Sequence, residues 1–200
     1  MDLTEEGRKE RKANYDINPL ILGRWSPRAM TGEELTDEEL MPLFEAARWA
    51  PSSFNNQPWR FLYARRNTKN WDMFFSLLGD WNRHWCKNAA VLVVAISRKN
   101  FEHNDKPSVT HAFDCGSAWE NLALEGSSRG LVVHGMEGFD YAKAKSTLGV
   151  PDNYEVHAMI AIGKRGKPEL LSDPRMRDQE KPNDRRPLSE IAIEGKFRGK

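Results

Sequence analysis

Apolar positions along the chain change their period several times, and each change marks an element. Over "LTDEELMPLFEAARWAP" (35–51), Leu40, Leu43, Phe44 and Ala47 recur at helical spacing. Thr36 followed by Glu39 forms a capping box at the start; Pro42 is expected to kink or delay the helix, and Pro51 to end it. "WRFLYAR" (59–65) alternates, with Trp59, Phe61 and Tyr63 on one side of a strand. "WDMFFSLLGDWNRHWCK" (71–87) has the apolar spacing of one helix, weakened at Gly79. "AAVLVVAIS" (89–97) is continuously apolar, as in a strand buried on both faces. "SVTHAFDCGSAWENLALEGSSRG" (108–130) reads as a long helix with Phe113, Trp119, Leu122 and Ala123 inward and Gly130 as its stop. A short strand ("LVVHGMEGF"), a helix ("DYAKAKSTLGV") and another strand ("EVHAMIAIGKRG") follow, with no internal repeat. This order predicts an α+β sandwich, a sheet with helices on both sides.

The ends are more polar. Residues 1–15 are expected to be a flexible segment whose "RKERK" is a solvated charge run. Residues 16–200 then form a single domain, its tail "KPNDRRPLSEIAIEGKF" carrying enough apolar side chains to dock. A length of 200 residues suits one sizeable core, and 39% hydrophobic with 30% charged residues is ordinary globular usage. A net charge of +1 offers no clustered cationic excess, so no nucleic-acid partner is expected, "RKERK" and "ARRNTKN" notwithstanding. The longest apolar run is too short to span a bilayer, and the charged start is unlike a secretory signal; a cytoplasmic protein with no membrane partner is expected. Two cysteines make no disulfide framework and are read as buried, inert thiols. The five histidines lack zinc-site spacing, so no metal is expected, and His111 with Asp114 is read as a structural pair on one helix face.

The chemistry concentrates in "RWAPSSFNNQPWRF" (48–61). Ser52, Ser53, Asn55, Asn56 and Gln57 offer donors and acceptors of both kinds, on a loop stiffened by Pro51 and Pro58. The loop follows the negative end of a helix, a poor place for phosphate but suited to a neutral flat ring with a polar edge, such as a flavin. Phosphate has a separate home in "RWSPR", where Arg24 and Arg28 bracket Ser26, with Arg185 and Arg186 of "RRPLSE" as further clamps. Each piece has a plainer reading: serines and asparagines form turns, and single arginines are usually solvated. Together they describe the two ends of a mononucleotide.

From about Leu22 to Ile191 the sequence resembles the nitroreductase family of FMN-dependent oxidoreductases. The likeness rests on "ARWAPSSFNNQPW", "RWSPR", "GLVVHGMEGFD", "LGVP" and "RRPLSEI". It implies a three-layer sandwich with a mainly antiparallel central sheet flanked by helices, in an intertwined homodimer. It further implies FMN as cofactor and NADH or NADPH as electron donor. Arg24, Ser26 and Arg28 would hold the phosphate and nearby ribityl oxygens, completed by Arg185 or Arg186. Pro51, Ser52, Ser53 and Asn55, with Gln57, would reach the flavin of the opposite subunit. Asn82 would meet its pyrimidine or ribityl side, and Glu137 and Gly138 would aim main-chain N–H groups at flavin N5, with no catalytic side chain. The turn "HGMEGF" lacks the proline often found before that glutamate. The activity implied is reduction of an electron-poor nitroaromatic, quinone or enone by a ping-pong mechanism. The alternatives are a flavin carrier, sensor or regulator without turnover, or a specialised dehalogenating or flavin-degrading relative.

Overall fold

In a computed structural model, which describes residues 3–197, four strands form one sheet in the order β1-β2-β4-β3, every neighbouring pair antiparallel. The strands are β1 (Trp59–Arg65), β2 (Val91–Arg98), β3 (Leu131–Met136) and β4 (Tyr154–Lys164). The helices are α1 (Leu3–Glu10), α2 (Pro19–Gly23), α3 (Asp37–Arg48), α4 (Trp71–Phe75), α5 (Asp80–Cys86), α6 (His111–Ser128), α7 (Tyr141–Thr147), α8 (Pro174–Asp178) and α9 (Leu188–Ile191).

The central strands show why the layers number three. Side chains alternate across a pleated strand. In β2, Leu92, Val94 and Ile96 enter one apolar cluster with Phe74, Trp85 and Cys86, while Val91, Val93 and Ala95 enter another with Leu40, Leu43 and Leu122. In β4, Met159 and Ala161 join the first, Ile160 and Ile162 the second. The sheet is therefore covered on both faces: by α3 and α6 on one, and by α4, α5 and α7 on the other.

Helix α3 starts as its sequence dictates: Thr36 Oγ1 accepts from Glu39 N–H and Glu39 returns a carboxylate to Thr36 N–H, closing the capping box. Pro42 lies inside this helix and does not delay it. The expected helix over 71–87 is instead two. Gly79 is extended between α4 and α5, its N–H donates to Gly138 O at 3.0 Å, and a Cβ there would meet that oxygen at 3.0 Å. The close approach of two loops, invisible in apolar spacing, breaks the helix. Phe113 is 78% exposed, contrary to its expected inward position, because the stripe of α6 that packs runs through Cys115, Ala118, Leu122 and Ala123. The loose segment expected at the start contains helix α1, with Leu3 0% exposed and Gly7 buried. Cys86 and Cys115 are free and buried. Burial pushes the Cys86 thiol up, and burial together with neighbouring Asp114 raises Cys115 to about 12. Among the described residues no helix is long and apolar enough to cross a membrane.

Candidate functional site

"RWSPR" leaves the C-terminus of α2 as extended chain and forms one wall of a cleft of about 640 Å³. Arg24, Ser26 and Arg28 all line it; Arg24 Nη1 donates to Ser26 Oγ at 3.2 Å, and its Nε lies 3.6 Å from Glu120. Gln179, Lys181, Pro182, Asn183 and Arg185 also line the cleft, adding two cations. Arg186 does not line the cleft, so of the two candidate clamps the structure brings only Arg185 to it. A further cation, Arg11, arrives from just beyond α1; its Nη1 donates to Leu22 O (2.9 Å) and Arg24 O (2.7 Å), and its Nε to Asn183 O (2.8 Å). Sequence reasoning placed Arg11 in a solvated run, since nothing in local spacing shows where a terminal segment folds back. Burial, then the nearby Arg185 and Arg24, lower its pKa against a smaller opposing effect of Asp184.

The cleft is lined by Arg11, Arg24, Arg28, Lys181 and Arg185 with no carboxylate among its lining residues. Two of the lining residues carry a buried donor without a partner among the described residues, Arg11 Nη2 and Trp25 Nε1. Five cations and two orphaned donors fit a bound phosphate, whose oxygens accept several charge-assisted hydrogen bonds. Behind the loop sits Glu180, a second residue missed in the sequence. Its carboxylate accepts from Arg28 N–H (2.9 and 3.0 Å), Ala29 N–H (2.8 Å) and Arg165 Nη1 (2.8 Å). Arg165 also pairs with Glu6 of α1 at 3.3 Å and lies 5.2 Å from the Trp25 ring centroid.

The cleft continues over the end of β3. Gly135 borders it throughout, and Arg28, Asn82, Glu137 and Gly138 line its extension. The N–H groups of Glu137 and Gly138 have no hydrogen-bond partner among the described residues, leaving two donors for a ligand edge. Asn82 reaches the same place, but its amide holds the turn: Nδ2 donates to Gly138 O (3.0 Å) and Oδ1 accepts from Trp85 Nε1 (3.2 Å). His134 lies beneath, its Nδ1–H donating to Pro27 O at 2.9 Å. Burial, with smaller contributions from Arg28 and Arg24, lowers its pKa to about 4, so the ring is neutral at physiological pH.

On the far side, pairing of β2 with β4 slips at Ala95/Ile96, leaving His157 as the extra residue of a bulge. Its Nε2 lies 2.5 Å from Ser97 Oγ, which also meets His111 Nδ1 at 2.7 Å. His111 thus pairs with Ser97 and, at 3.6 Å, with Glu155. The expected pairing with Asp114 does not form, because Asp114 turns to the serine-rich loop.

That loop is held in an unusual conformation. Phe54, Asn55 and Gln57 all have positive φ (52°, 53° and 47°), which side-chain-bearing residues seldom adopt. Buried Asp114 accepts from Ser53 N–H at 3.1 Å and Thr110 Oγ1 at 3.3 Å; Ser52 Oγ accepts from Gln57 N–H at 3.0 Å, and Gln57 Nε2 donates to Asn55 O at 3.0 Å. Pro51, Ser52, Ser53, Asn55 and Gln57 line none of the cleft within their own chain. They lie instead beside exposed apolar side chains: Trp49, Phe54 (83% exposed), Val109 (94%) and Phe113.

A helix-covered antiparallel sheet with a cationic cleft of about 640 Å³ beside its edge strand β3 defines an α+β class, and comparison with known proteins narrows it. The Nitroreductase family model matches residues 21–78 and 67–164. The chain belongs to the nitroreductase family. A solved structure described as an oxidoreductase containing FMN is 41% identical, with a TM-score of 0.90 over 95% of this chain and 97% of that one. An Archaeoglobus fulgidus protein with the provisional name NADH dehydrogenase/NAD(P)H nitroreductase is 28% identical over 150 residues, 72% of this chain and 82% of its own length. An uncharacterised 15.4 kDa protein of Mycolicibacterium smegmatis is 33% identical over 86 residues, 43% of this chain; the match spans 58% of that relative's length.

Proposed function

We propose that this protein is an FMN-dependent oxidoreductase that takes reducing equivalents from NADH or NADPH and passes them to an electron-poor nitroaromatic, quinone or enone. The observation that carries this reading is the continuity of the cationic cleft with the bare N–H groups of Glu137 and Gly138. An anionic tail and a polar ring edge find their complements along one surface. Arg24, Ser26, Arg28 and Arg185 bind the phosphate end. The Glu137 and Gly138 amides would orient the ring, and Asn82 fixes their turn with one N–H of its amide on Gly138 O, leaving the second for the ligand.

FMN, when bound, supplies the hydride acceptor and later the hydride donor. The protein binds, orients and shields, and its fixed amides favour developing negative charge on the ring. Donor and acceptor use the same opening in turn, which predicts ping-pong kinetics. Neutral His134, held by Pro27 O, leaves the arginines and Lys181 as the local positive charge.

The serine-and-amide loop serves the partner subunit of a homodimer. Its residues line none of their own chain's cleft, yet buried Asp114 fixes the loop at Ser53 N–H, and Trp49, Phe54 and Phe113, nearby in sequence or on α6, are exposed and open to cover by a second copy. Purified protein should be yellow and dimeric, and anaerobic NADH or NADPH should bleach it. Turnover on a panel of nitroaromatics, quinones and enones then assigns the acceptor. Colour that persists with both donors would refute the enzyme and leave a flavin-binding protein.

A further inference from the structure

Residues 1–15, expected to be flexible with a solvated "RKERK", instead pack through α1 against α2 and reach the loop between Arg24 and Arg28. Gly7 of α1 and Gly23 of α2 cross backbone to backbone: a Cβ on Gly7 would meet Gly23 O at 1.9 Å, and one on Gly23 would meet Thr4 O at 2.4 Å. Leu3 is fully buried, and Glu6 pairs with Arg165 beneath the loop. The outcome of this docking is the placement of Arg11. Three carbonyl oxygens, from α2's end, the phosphate loop and the C-terminal strand of chain, fix its Nη1 and Nε. Its remaining nitrogen, Nη2, is buried without a hydrogen-bond partner among the described residues, on a side chain that lines the cleft. A guanidinium among Arg24, Arg28, Lys181 and Arg185, with one edge tied down and the other bare, is held against electrostatic repulsion. A fixed cation with a free donor in such a place is pre-organised for an anion.

We propose that Arg11 is a phosphate-binding residue of the flavin site, so that the docking of the N-terminal helix α1 shapes the cofactor pocket. This rests on the flavin reading above. The role is confined to the phosphate: Arg11 lines the cationic part of the cleft and not its extension along Gly135–Gly138. Arg11 therefore discriminates FMN from riboflavin, which carries the same ring without the phosphate.

The test measures the affinities of FMN and riboflavin for the full-length protein and for Arg11→Ala, Arg11→Lys, Gly7→Val and the exposed control Arg8→Ala. Losing one charge-assisted phosphate contact should weaken FMN by roughly 10- to 100-fold, with riboflavin changed less than about two-fold. Arg11→Lys should lie between. Gly7→Val leaves Arg11 in the sequence but pushes α1 off α2, and should reproduce the selective FMN loss. Arg8→Ala should match the wild type. An Arg11→Ala affinity for FMN within about two-fold of wild type overturns the proposal, as does an equal loss for both ligands, which marks a merely structural residue. Failure of the wild type to bind either ligand overturns the flavin reading itself. Tight wild-type FMN binding beside an indifferent Arg11→Ala overturns only the role of Arg11.

Discussion

Glu180 offers a sharp test of how the cleft is built. Its side chain is wholly buried, and every polar neighbour it meets is a donor: Arg28 N–H on both oxygens, Ala29 N–H and Arg165 Nη1. Glu180→Gln preserves shape and volume but replaces one acceptor oxygen by an NH2 group. Whichever way the amide turns, N–H faces N–H, and Arg165 loses its fully buried counter-charge while keeping Glu6. Breaking a buried pair by removing one partner costs about 3–5 kcal/mol, and a charge-assisted hydrogen bond alone about 1.5–3 kcal/mol. We expect about 3–5 kcal/mol of destabilisation, a large share of the roughly 5–15 kcal/mol typical of a folded domain. Urea unfolding of wild type and variant, followed by circular dichroism at equal protein concentration, measures it, with an unchanged slope confirming a shared mechanism. Since the carboxylate also fixes the main chain at Arg28 and Ala29, FMN affinity should fall as well. A loss of stability below about 1 kcal/mol would show that the loop is held by something else.

His134 links stability to acidity: its folded pKa of about 4 lies below the ordinary 6.5, so the unfolded chain takes the proton first. Its contribution is complete above pH 6.5 and is lost as pH falls toward 4, about 3 kcal/mol in all; the stability difference between wild type and His134→Gln should shrink across that window, and a difference that is flat with pH would refute this. Asp114→Ala strips the serine-rich loop of its anchor on Ser53 N–H and should cost about 1.5–3 kcal/mol in denaturant titrations, with a matching loss of flavin retention. Phe113→Glu places a charge on the exposed apolar patch beside that loop and should yield monomers that lose FMN on gel filtration; a stable yellow dimer would contradict the shared-site reading.

Local chemistry wrote much of this protein into its sequence. Thr36 and Glu39 cap α3 because a helix start needs those acceptors wherever it lies. The unbroken run Val91–Ile96 declares a strand covered on both faces, since only such a strand can be apolar at every position. "RWSPR" stood out because two arginines bracket a serine at short spacing, and the structure places all three side chains on one cationic cleft. What tertiary structure alone decided involves partners far apart in the chain. Gly79 splits a helix because Gly138 comes against it, Phe113 faces outward because of where α6 settles on the sheet, and Asp114 meets Ser53 rather than His111. Arg11 and Glu180 read as ordinary surface charges until the two chain ends close on the loop between Arg24 and Arg28. Helical periods and caps depend on neighbours a few residues away, but the electrostatics of a cleft depends on which distant charges the fold assembles, and no local pattern encodes that.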